Sequence, residues 1–256
     1  MAINHVDHLS FLFGLLGTII SFLVYLAPLP TFYRIYKKKS TEGFHSLPYS
    51  VALFSATLTF YYAFLKTSAL MLIIINSIGF AIESAYLVVY MIYAPRRAMI
   101  YTAKLLIFFN LGLLGLIILS TSLIIRESYL RLTAVGWICA MFSVCVYAAP
   151  LSVMKLVITT KSVEFMPLSL SFSLTICAIM WFFYGLLIKD FFIATPNILG
   201  FTFGTAQMIL YIIYKDSKRQ VVLPESIAPQ QDVPNGIQLS SRETTMETAE
   251  PSESNV

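Results

Sequence analysis

The sequence predicts an all-α membrane protein with seven transmembrane helices, arranged as two parallel three-helix repeats joined by a linker helix. Three observations support this fold class: 58% hydrophobic against 12% charged residues, seven long apolar stretches, and a pattern that occurs twice along the chain. A mean hydropathy of +0.79 is too high for an ordinary soluble domain. Backbone groups in lipid must be satisfied internally, so the stretches are predicted to be helices.

The predicted spans are each about as long as the roughly 20 residues that a helix needs to cross a bilayer. They run over 9–29, 45–65, 69–93, 102–124, 131–154, 166–188 and 191–214. The first follows Asp7 and His8 instead of a basic segment, so we expect a retained span and not a cleaved signal peptide. Residues 220–256 are rich in Ser, Thr, Glu and Pro and are predicted to be a disordered cytosolic tail. That tail is either a target for phosphorylation or simply solvated.

Motifs of the first three spans recur about 120 residues later. The segment 25–29 (YLAPL) returns at 147–151 (YAAPL), Lys39-Ser40 returns at 161–162, and 76–80 (NSIGF) returns at 197–201 (NILGF). Three spans end on the side opposite their start, so one extra span between the copies makes them parallel. We therefore expect a first repeat at 1–98, a linker helix at 99–127 and a second repeat at 128–219, related by an axis along the membrane normal.

Basic residues predict the orientation. Most Lys and Arg flank the ends of spans 1, 3 and 7 and the connection between spans 5 and 6. Since cytoplasmic loops are enriched in these residues, the N-terminus is predicted outside and the C-terminus in the cytosol. The net charge of +4 is thus explained by the basic residues that set the membrane orientation, and no nucleic-acid partner is expected.

Other functional classes fit less well. A seven-span receptor does not predict matched motifs in two halves. An intramembrane enzyme needs a carboxylate pair, a metal cluster or a Ser/His arrangement at membrane depth. The three histidines lie outside the spans, and the three cysteines lie inside them without metal-ligand spacing. No catalytic activity, cofactor or metal is therefore expected.

Several motifs, in order and spacing, resemble one family. They are 27–32 (APLPTF), 41–44 (TEGF), 161–167 (KSVEFMP), 181–185 (WFFYG) and 196–200 (PNILG). From residue 9 to 219 the chain resembles the plant SWEET (MtN3/saliva) sugar transporters, most closely the sucrose-type branch, and this family is itself an example of parallel repeats. The resemblance implies a bidirectional, facilitative carrier of sucrose or glucose-type hexoses that works by alternating access. It also implies a homotrimer in the plasma membrane; the loops do not distinguish this membrane from the tonoplast.

A neutral sugar needs amide or hydroxyl partners and an aromatic surface for its C–H face. Asn76 and Asn197 occupy equivalent places in spans 3 and 7, so we expect both in one substrate cavity. Helix–helix adhesion is the alternative role for them. Trp181 lies deep in span 6 and is predicted to stack on the sugar. Its counterpart in the first repeat is Thr59, where sucrose carriers of the family often have Trp, so the resemblance leaves sucrose or hexose open.

Further site residues are implied by the resemblance alone. For the pocket they are Ser21, Val24, Ser55, Ser143, Val146 and Cys177. Small-residue helix packing is the alternative for each. For gating, a proline tetrad is implied near the cytosolic ends of spans 1, 2, 5 and 6, together with a supporting glutamine in span 7: Pro28, Pro48, Pro150, Pro167 and Gln207. An extracellular gate is implied for Tyr62, Lys66 and Asp190, with a weak exposed ion pair as the alternative.

Glu83 is the one acidic residue deep within a predicted span, and such residues are functional candidates. It lies seven residues after Asn76, hence nearly two helical turns along the same face. Proton coupling is one hypothesis, and a structural or protonated Glu83 is the favoured one. A carboxylate substrate would favour a cationic pocket residue, and none is predicted, so a neutral polar solute fits best.

Overall fold

The computed structural model describes residues 2–66, 69–146, 148–164 and 166–215, without side-chain detail for 2–4, 148 and 149. The predicted tail therefore lies outside the described residues. Within these ranges the chain is helical, with no strand. The helices are α1 (Ala2–Leu26), α2 (Leu29–Lys38), α3 (Leu47–Leu65), α4 (Leu70–Tyr93), α5 (Arg96–Leu106), a π-helical segment (Ile107–Leu113), α6 (Leu114–Ile124), α7 (Ser128–Val146), α8 (Ala148–Thr160), α9 (Leu168–Leu187) and α10 (Phe191–Tyr214).

The helices form two bundles of three spans. In the first bundle α4 packs between α1 and α3, and in the second α10 packs against α9, α7 and α8. The bundles meet along α1 with α9 and along α3 with α7. The linker span, from α5 to α6, packs on α3 and on α7 and exposes Leu111, Leu116 and Leu119. The predicted arrangement of two three-helix repeats with a linker is thus confirmed.

The proline tetrad is divided between two kinds of position. Pro28 lies where span 1 breaks between α1 and α2, and Pro150 lies within α8 (Ala148–Thr160). Pro48 and Pro167 instead lie at the starts of α3 and α9. The first turn of a helix has no internal partner for its N–H groups, so proline there breaks no hydrogen bond. Pro28 therefore marks a break in a span, and Pro48 and Pro167 mark helix starts.

Six helical stretches in the described part of the chain are long and apolar enough to cross a membrane. The seventh span, α3, has 19 residues but carries more hydroxyl side chains, including Ser50, Thr57 and Thr59. It is well buried between its neighbours, with Phe54 and Leu58 at or below 1% exposure. The least apolar span is thus enclosed by protein on much of its surface.

Candidate functional site

A cavity of about 190 Å³ lies between the two bundles. Six helices line it, namely α1, α3, α4, α7, α9 and α10, so each span except the linker contributes. We call it the central cavity, and its lining residues are Ser21, Tyr25, Thr59, Tyr62, Leu72, Ile75, Asn76, Cys139, Ser143, Trp181, Phe192, Ile193, Pro196 and Asn197.

Asn76 and Asn197 both line the central cavity and adopt the same local geometry. Asn76 Nδ2 donates to the Leu72 carbonyl at 2.8 Å, and Asn197 Nδ2 donates to the Ile193 carbonyl at 2.7 Å. In each case one amide hydrogen is donated to a backbone carbonyl of the preceding helical turn. The carbonyl oxygen and the second N–H are then available to a ligand. The two repeats therefore present matched donor–acceptor pairs to one cavity.

Trp181 is held in position by the opposite repeat. Its Nε1–H donates to Ser21 Oγ at 3.0 Å, and Ser21 Oγ lies 3.1 Å from Cys177 Sγ. Tyr184 packs edge-on to the indole, at 5.3 Å between ring centroids. On the α1 side, a Cβ added at Gly17 would lie 3.1 Å from Trp181 Cε2, so the absence of a side chain permits this close approach. The indole is therefore a fixed surface in this state.

Four of the expected pocket residues lie outside the central cavity. Cys177 lies behind Ser21, and Ser55 is half-buried within α3. Val24 lines a separate depression between α1 and α9, and Val146 is 42% exposed at the end of α7. Each of the four lies three or four residues from a lining residue of its own span, hence on the same face but about one helical turn further along the helix. The central cavity ends before it reaches them. Ser21, Thr59, Ser143, Trp181 and both asparagines are brought together as expected.

Sequence reasoning missed several lining residues. Tyr25 belongs to the duplicated motif of span 1, and Pro196 directly precedes Asn197 within α10; both carried a usable signal. Pro196 has no N–H to donate to the Phe192 carbonyl, which weakens the α10 ladder beside the cavity. The others are apolar residues that no motif distinguishes from ordinary packing: Leu72, Ile75, Phe192, Ile193 and Cys139.

One end of the central cavity is closed by a network around Asp190, which is 2% exposed. Asp190 Oδ2 accepts from Tyr62 Oη at 2.7 Å and from Lys66 Nζ. Its Oδ1 caps α10 by accepting from the N–H groups of Phe192 and Ile193. We call this set the Asp190 bridge. It links the end of α3 in the first repeat to the start of α10 in the second.

At the opposite end, matched contacts stay within each repeat. Lys39 Nζ donates to Tyr93 Oη, and Lys161 Nζ donates to Tyr214 Oη, both at 3.0 Å. Each ammonium also lies over its tyrosine ring, at 4.8 and 4.7 Å from the centroid. Both lysines have a left-handed backbone, with φ of 54°. We call these the Lys–Tyr corners; they tie the loop after spans 1 and 5 to the end of spans 3 and 7.

The corner of the first repeat carries additional charges. Glu42 forms ion pairs with Arg34 and Lys38. Lys38 first, and then Arg34, holds the pKa of Glu42 below its ordinary value. The hydrogen bond to Tyr93 raises the pKa of Lys39. Both groups are therefore charged at neutral pH. The positions of Arg34 and Lys38 correspond to Leu156 and Thr160 in the second repeat, so these two basic residues have no basic counterpart there.

The remaining candidates lie apart from the central cavity. Gln207 is buried on α10, three residues beyond Gly204. Glu83 is 4% exposed on α4, and its Oε2 atom has no hydrogen-bond partner among the described residues. Among those residues, no group of three or more His, Cys, Asp or Glu is placed to hold a metal ion.

Comparisons with known proteins agree with this architecture. The family model described as "Sugar efflux transporter for intercellular exchange" matches twice, at residues 11–98 and 133–219. The chain is 57% identical to "Bidirectional sugar transporter NEC1" of Petunia hybrida, over 86% of this chain and 82% of the relative. It is 58% identical to "Bidirectional sugar transporter SWEET9" of Arabidopsis thaliana, over 84% of this chain and 83% of the relative.

A solved structure is also similar. The structure titled "The 3.7 A resolution structure of a eukaryotic SWEET transporter" has 34% sequence identity and a TM-score of 0.77. The match covers 82% of this chain and 98% of that one. Two family-model matches, one in each bundle, together with relatives above 50% identity, establish the family. The chain belongs to the MtN3/saliva (SWEET) family of multi-pass membrane transporters.

Proposed function

We propose that this protein carries neutral sugars across a membrane in both directions by alternating access, without coupling to another solute. The observation that carries the proposal is the central cavity, to which both repeats contribute an asparagine in the same geometry. The relatives supply the substrate class, since both are named bidirectional sugar transporters. Transport, and not catalysis, is the activity of this family.

The proposed substrate contacts follow from the chemistry of the lining. The carbonyl oxygens of Asn76 and Asn197 would accept hydrogen bonds from sugar hydroxyls, and their free N–H groups would donate. The indole of Trp181 would contact the apolar C–H face of the ring. Thr59 and Ser143 add hydroxyls at the cavity wall. These groups are uncharged, which suits a neutral ligand.

Sucrose and glucose-type hexoses are the candidate substrates. The cavity, at about 190 Å³, is smaller than the roughly 300–1,000 Å³ of typical small-molecule sites. Trp181 faces it from the second repeat, and Thr59 occupies the equivalent place in the first, so only one of these two positions carries an indole. We propose that a hexose fits this state directly and that a disaccharide requires the cavity to widen.

The gating proposal rests on the two ends of the molecule. We propose that the Asp190 bridge is the extracellular gate and that it is closed in this state. At the Lys39 end the matched contacts lie within repeats, so the repeats can separate there. The break at Pro28 would serve as a hinge, and Pro150 would weaken the helix ladder at the equivalent place in the second repeat. Pro48 and Pro167 would start the neighbouring helices, and Gln207 would support the motion of α10.

The proposed setting is the plasma membrane, with the N-terminus outside and the C-terminus in the cytosol. The basic residues at the Lys39 end support this orientation, because cytosolic loops are enriched in Lys and Arg. We further propose a homotrimer. The exposed leucines of the linker span suit either lipid or a neighbouring copy, and trimer assembly would cover part of that face.

The test is uptake of labelled glucose and sucrose by cells that lack their own sugar carriers. We expect Asn76→Ala and Asn197→Ala each to reduce uptake to near background, because each removes a cavity amide. Asn110→Ala is the matched control, because Asn110 lies in the π-helical segment of the linker, away from the central cavity. Surface expression is measured for every variant.

Two outcomes would contradict the proposal. If wild type reaches the surface and moves neither sugar, the assigned substrate class is wrong. If uptake requires an acidic exterior and is lost in Glu83→Gln, the carrier is proton-coupled and not a uniporter.

Thr59→Trp distinguishes the substrates, because a second indole should shift the sucrose-to-glucose ratio.

A further inference from the structure

A second cavity, of about 490 Å³, lies on the other side of the Asp190 bridge from the central cavity. It is formed by the end of α3 and the first turns of α7 and α10. We propose that this second cavity is an additional sugar-binding subsite, which holds substrate outside the closed gate. The proposal rests on the proposed function and names a site distinct from the central cavity.

The two cavities are separated by a thin wall. Tyr62 and Phe192 line both of them. The ring of Phe192 meets Tyr62 edge-on at 6.3 Å and Trp137 at 5.4 Å. Trp137 in the second cavity is therefore linked through Phe192 to the gate residue Tyr62. A ligand in the second cavity would enter the central cavity once these side chains move.

The lining has the chemistry that a neutral sugar needs. Trp137 is 62% exposed and presents an indole, and the side chains of Tyr129 and Phe191 add aromatic surface. Thr133 donates its hydroxyl hydrogen to the Tyr129 carbonyl, so its oxygen remains able to accept. Thr195 and Lys189 supply further polar groups around the aromatic surface. This combination repeats the aromatic-plus-hydrogen-bonding pattern of the central cavity.

Charge and position argue against a purely lipid-filled groove. The second cavity contains Lys66, Lys189 and Asp190, and charged groups favour contact with water over hydrocarbon. The Asp190 carboxylate is already used by Tyr62, Lys66 and the start of α10, so it adds no free acceptor. The available partners are hydroxyls, ammonium groups and aromatic faces, which suit a polyhydroxylated ligand. A lipid headgroup is the competing occupant, and the test distinguishes it.

The chain contains two tryptophans, Trp137 and Trp181, and each lines one of the cavities. Each can therefore report on its own cavity. In purified Trp181→Phe protein in lipid nanodiscs, Trp137 is the sole tryptophan, and in Trp137→Phe protein it is Trp181. Glucose and sucrose are titrated into both proteins while tryptophan emission is recorded, with glycerol as the control for viscosity and refractive index.

We expect sugar to change the emission of Trp137 in a saturable manner. The response should persist with the same half-saturation when Asn76→Ala and Asn197→Ala are added, because those amides line the central cavity and not the second cavity. In uptake assays, Trp137→Ala should lower the rate at low sugar by about threefold to tenfold, the scale of one lost aromatic contact. The maximal rate at saturating sugar should change less, and Trp137→Phe should restore much of the loss.

Three results would overturn the subsite. The first is no change at Trp137 at sugar concentrations that change Trp181. The second is a Trp137 response that disappears with the asparagine substitutions, which would make it a distant effect of the central cavity. The third is quenching of Trp137 by brominated phosphatidylcholine that sugar does not relieve, which would identify a lipid contact. If neither tryptophan responds and uptake is absent, it is the proposed function itself that fails.

Discussion

At the scale of single residues, the hydroxyl of Ser21 connects the substrate surface to the opposite repeat. It accepts a hydrogen bond from the indole of Trp181 and lies beside the thiol of Cys177. Since Ser21 is on α1 and Trp181 on α9, the bond crosses the interface between the repeats. The orientation of the stacking surface thus depends on a side chain 160 positions away in the sequence.

We predict that Ser21→Ala weakens sugar binding by about threefold to tenfold. The change leaves the buried indole N–H without its partner, and an unsatisfied buried donor costs about 1–3 kcal/mol. The indole is then free to rotate away from its stacking position. The measurement is the half-saturation concentration for uptake, together with emission of Trp181 in a Trp137→Phe background. Ser77→Ala is the matched control, because the Ser77 hydroxyl is exposed and bonds only within α4, to the Ile73 carbonyl. Equal effects of the two serine changes would argue against a positioning role.

At the scale of helices, the Lys–Tyr corners are the best-preserved product of the duplication. Both have the same hydrogen-bond length and the same lysine φ. In both, the following serine accepts a backbone N–H, from Glu42 in one repeat and from Glu164 in the other. Each corner holds the loop after one span to the end of another, so it braces three spans as one unit. Alternating access by movement of whole repeats requires such internal bracing.

We predict that Tyr93→Phe and Tyr214→Phe each lower thermal stability slightly and that the double variant shows the sum of the two effects. Phenylalanine keeps the ring beneath the ammonium and removes the hydroxyl, so Tyr→Ala should be more severe at either position. Additivity is expected because the corners lie in different repeats and share no partner. Thermal unfolding of the detergent-solubilised protein measures the effect. A double variant far from the sum would show that the corners are coupled.

The corner of the first repeat should not respond to pH near neutrality. The pKa of Lys39 is raised, so its contribution is complete below the ordinary lysine pKa and is lost as pH rises through the raised value. The pKa of Glu42 is lowered, so its contribution is present above the ordinary value and is lost as pH falls through the lowered one. The effect of Tyr93→Phe should therefore be constant over the neutral range.

At the scale of the whole molecule, the Asp190 bridge joins the repeats at one end, and the matched contacts at the other end do not. Asp190 holds Tyr62 and Lys66 of the first repeat while it caps α10 of the second. The residue that closes this end is thus also the N-cap of α10. Opening must therefore break the hydrogen bond from Lys66 to Asp190 while the capping bonds to Asp190 at the start of α10 are kept.

We predict that Asp190→Asn shifts the molecule toward opening at this end. Asparagine retains a capping oxygen but loses the charge that holds Lys66, and a hydrogen bond to a charged group contributes about 1.5–3 kcal/mol. Cys139, which is 8% exposed and lines the central cavity, is the reporter in a Cys145→Ser, Cys177→Ser background. Its reaction with a membrane-impermeant thiol reagent from outside should become faster by about tenfold or more.

Glu42→Gln is the control at the other end, and it should leave the rate unchanged. An unchanged rate in Asp190→Asn would mean that this bridge does not limit access.

Sequence patterns were sufficient to predict the number of spans, the duplication and the equivalent places of Asn76 and Asn197. These features depend on local hydrophobicity and on recurrence along the chain, which can be observed without a structure. Helix ends were also close to prediction where a span is continuous, as in α10, expected at 191–214 and found at Phe191–Tyr214. Span 1 differed, because it is divided near Pro28 into α1 and α2.

The tertiary structure alone decided which side chains share a cavity. The bond from Trp181 to Ser21, the wall formed by Tyr62 and Phe192, and the second cavity all depend on how helices from opposite repeats rotate and pack. The structure also decides how far the cavity extends along each helix, because it ends one turn short of four residues on suitable spans: Val24, Ser55, Val146 and Cys177. Spacing along one helix specifies which residues share a face of that helix, whereas the direction of that face is set by packing between residues far apart in the sequence.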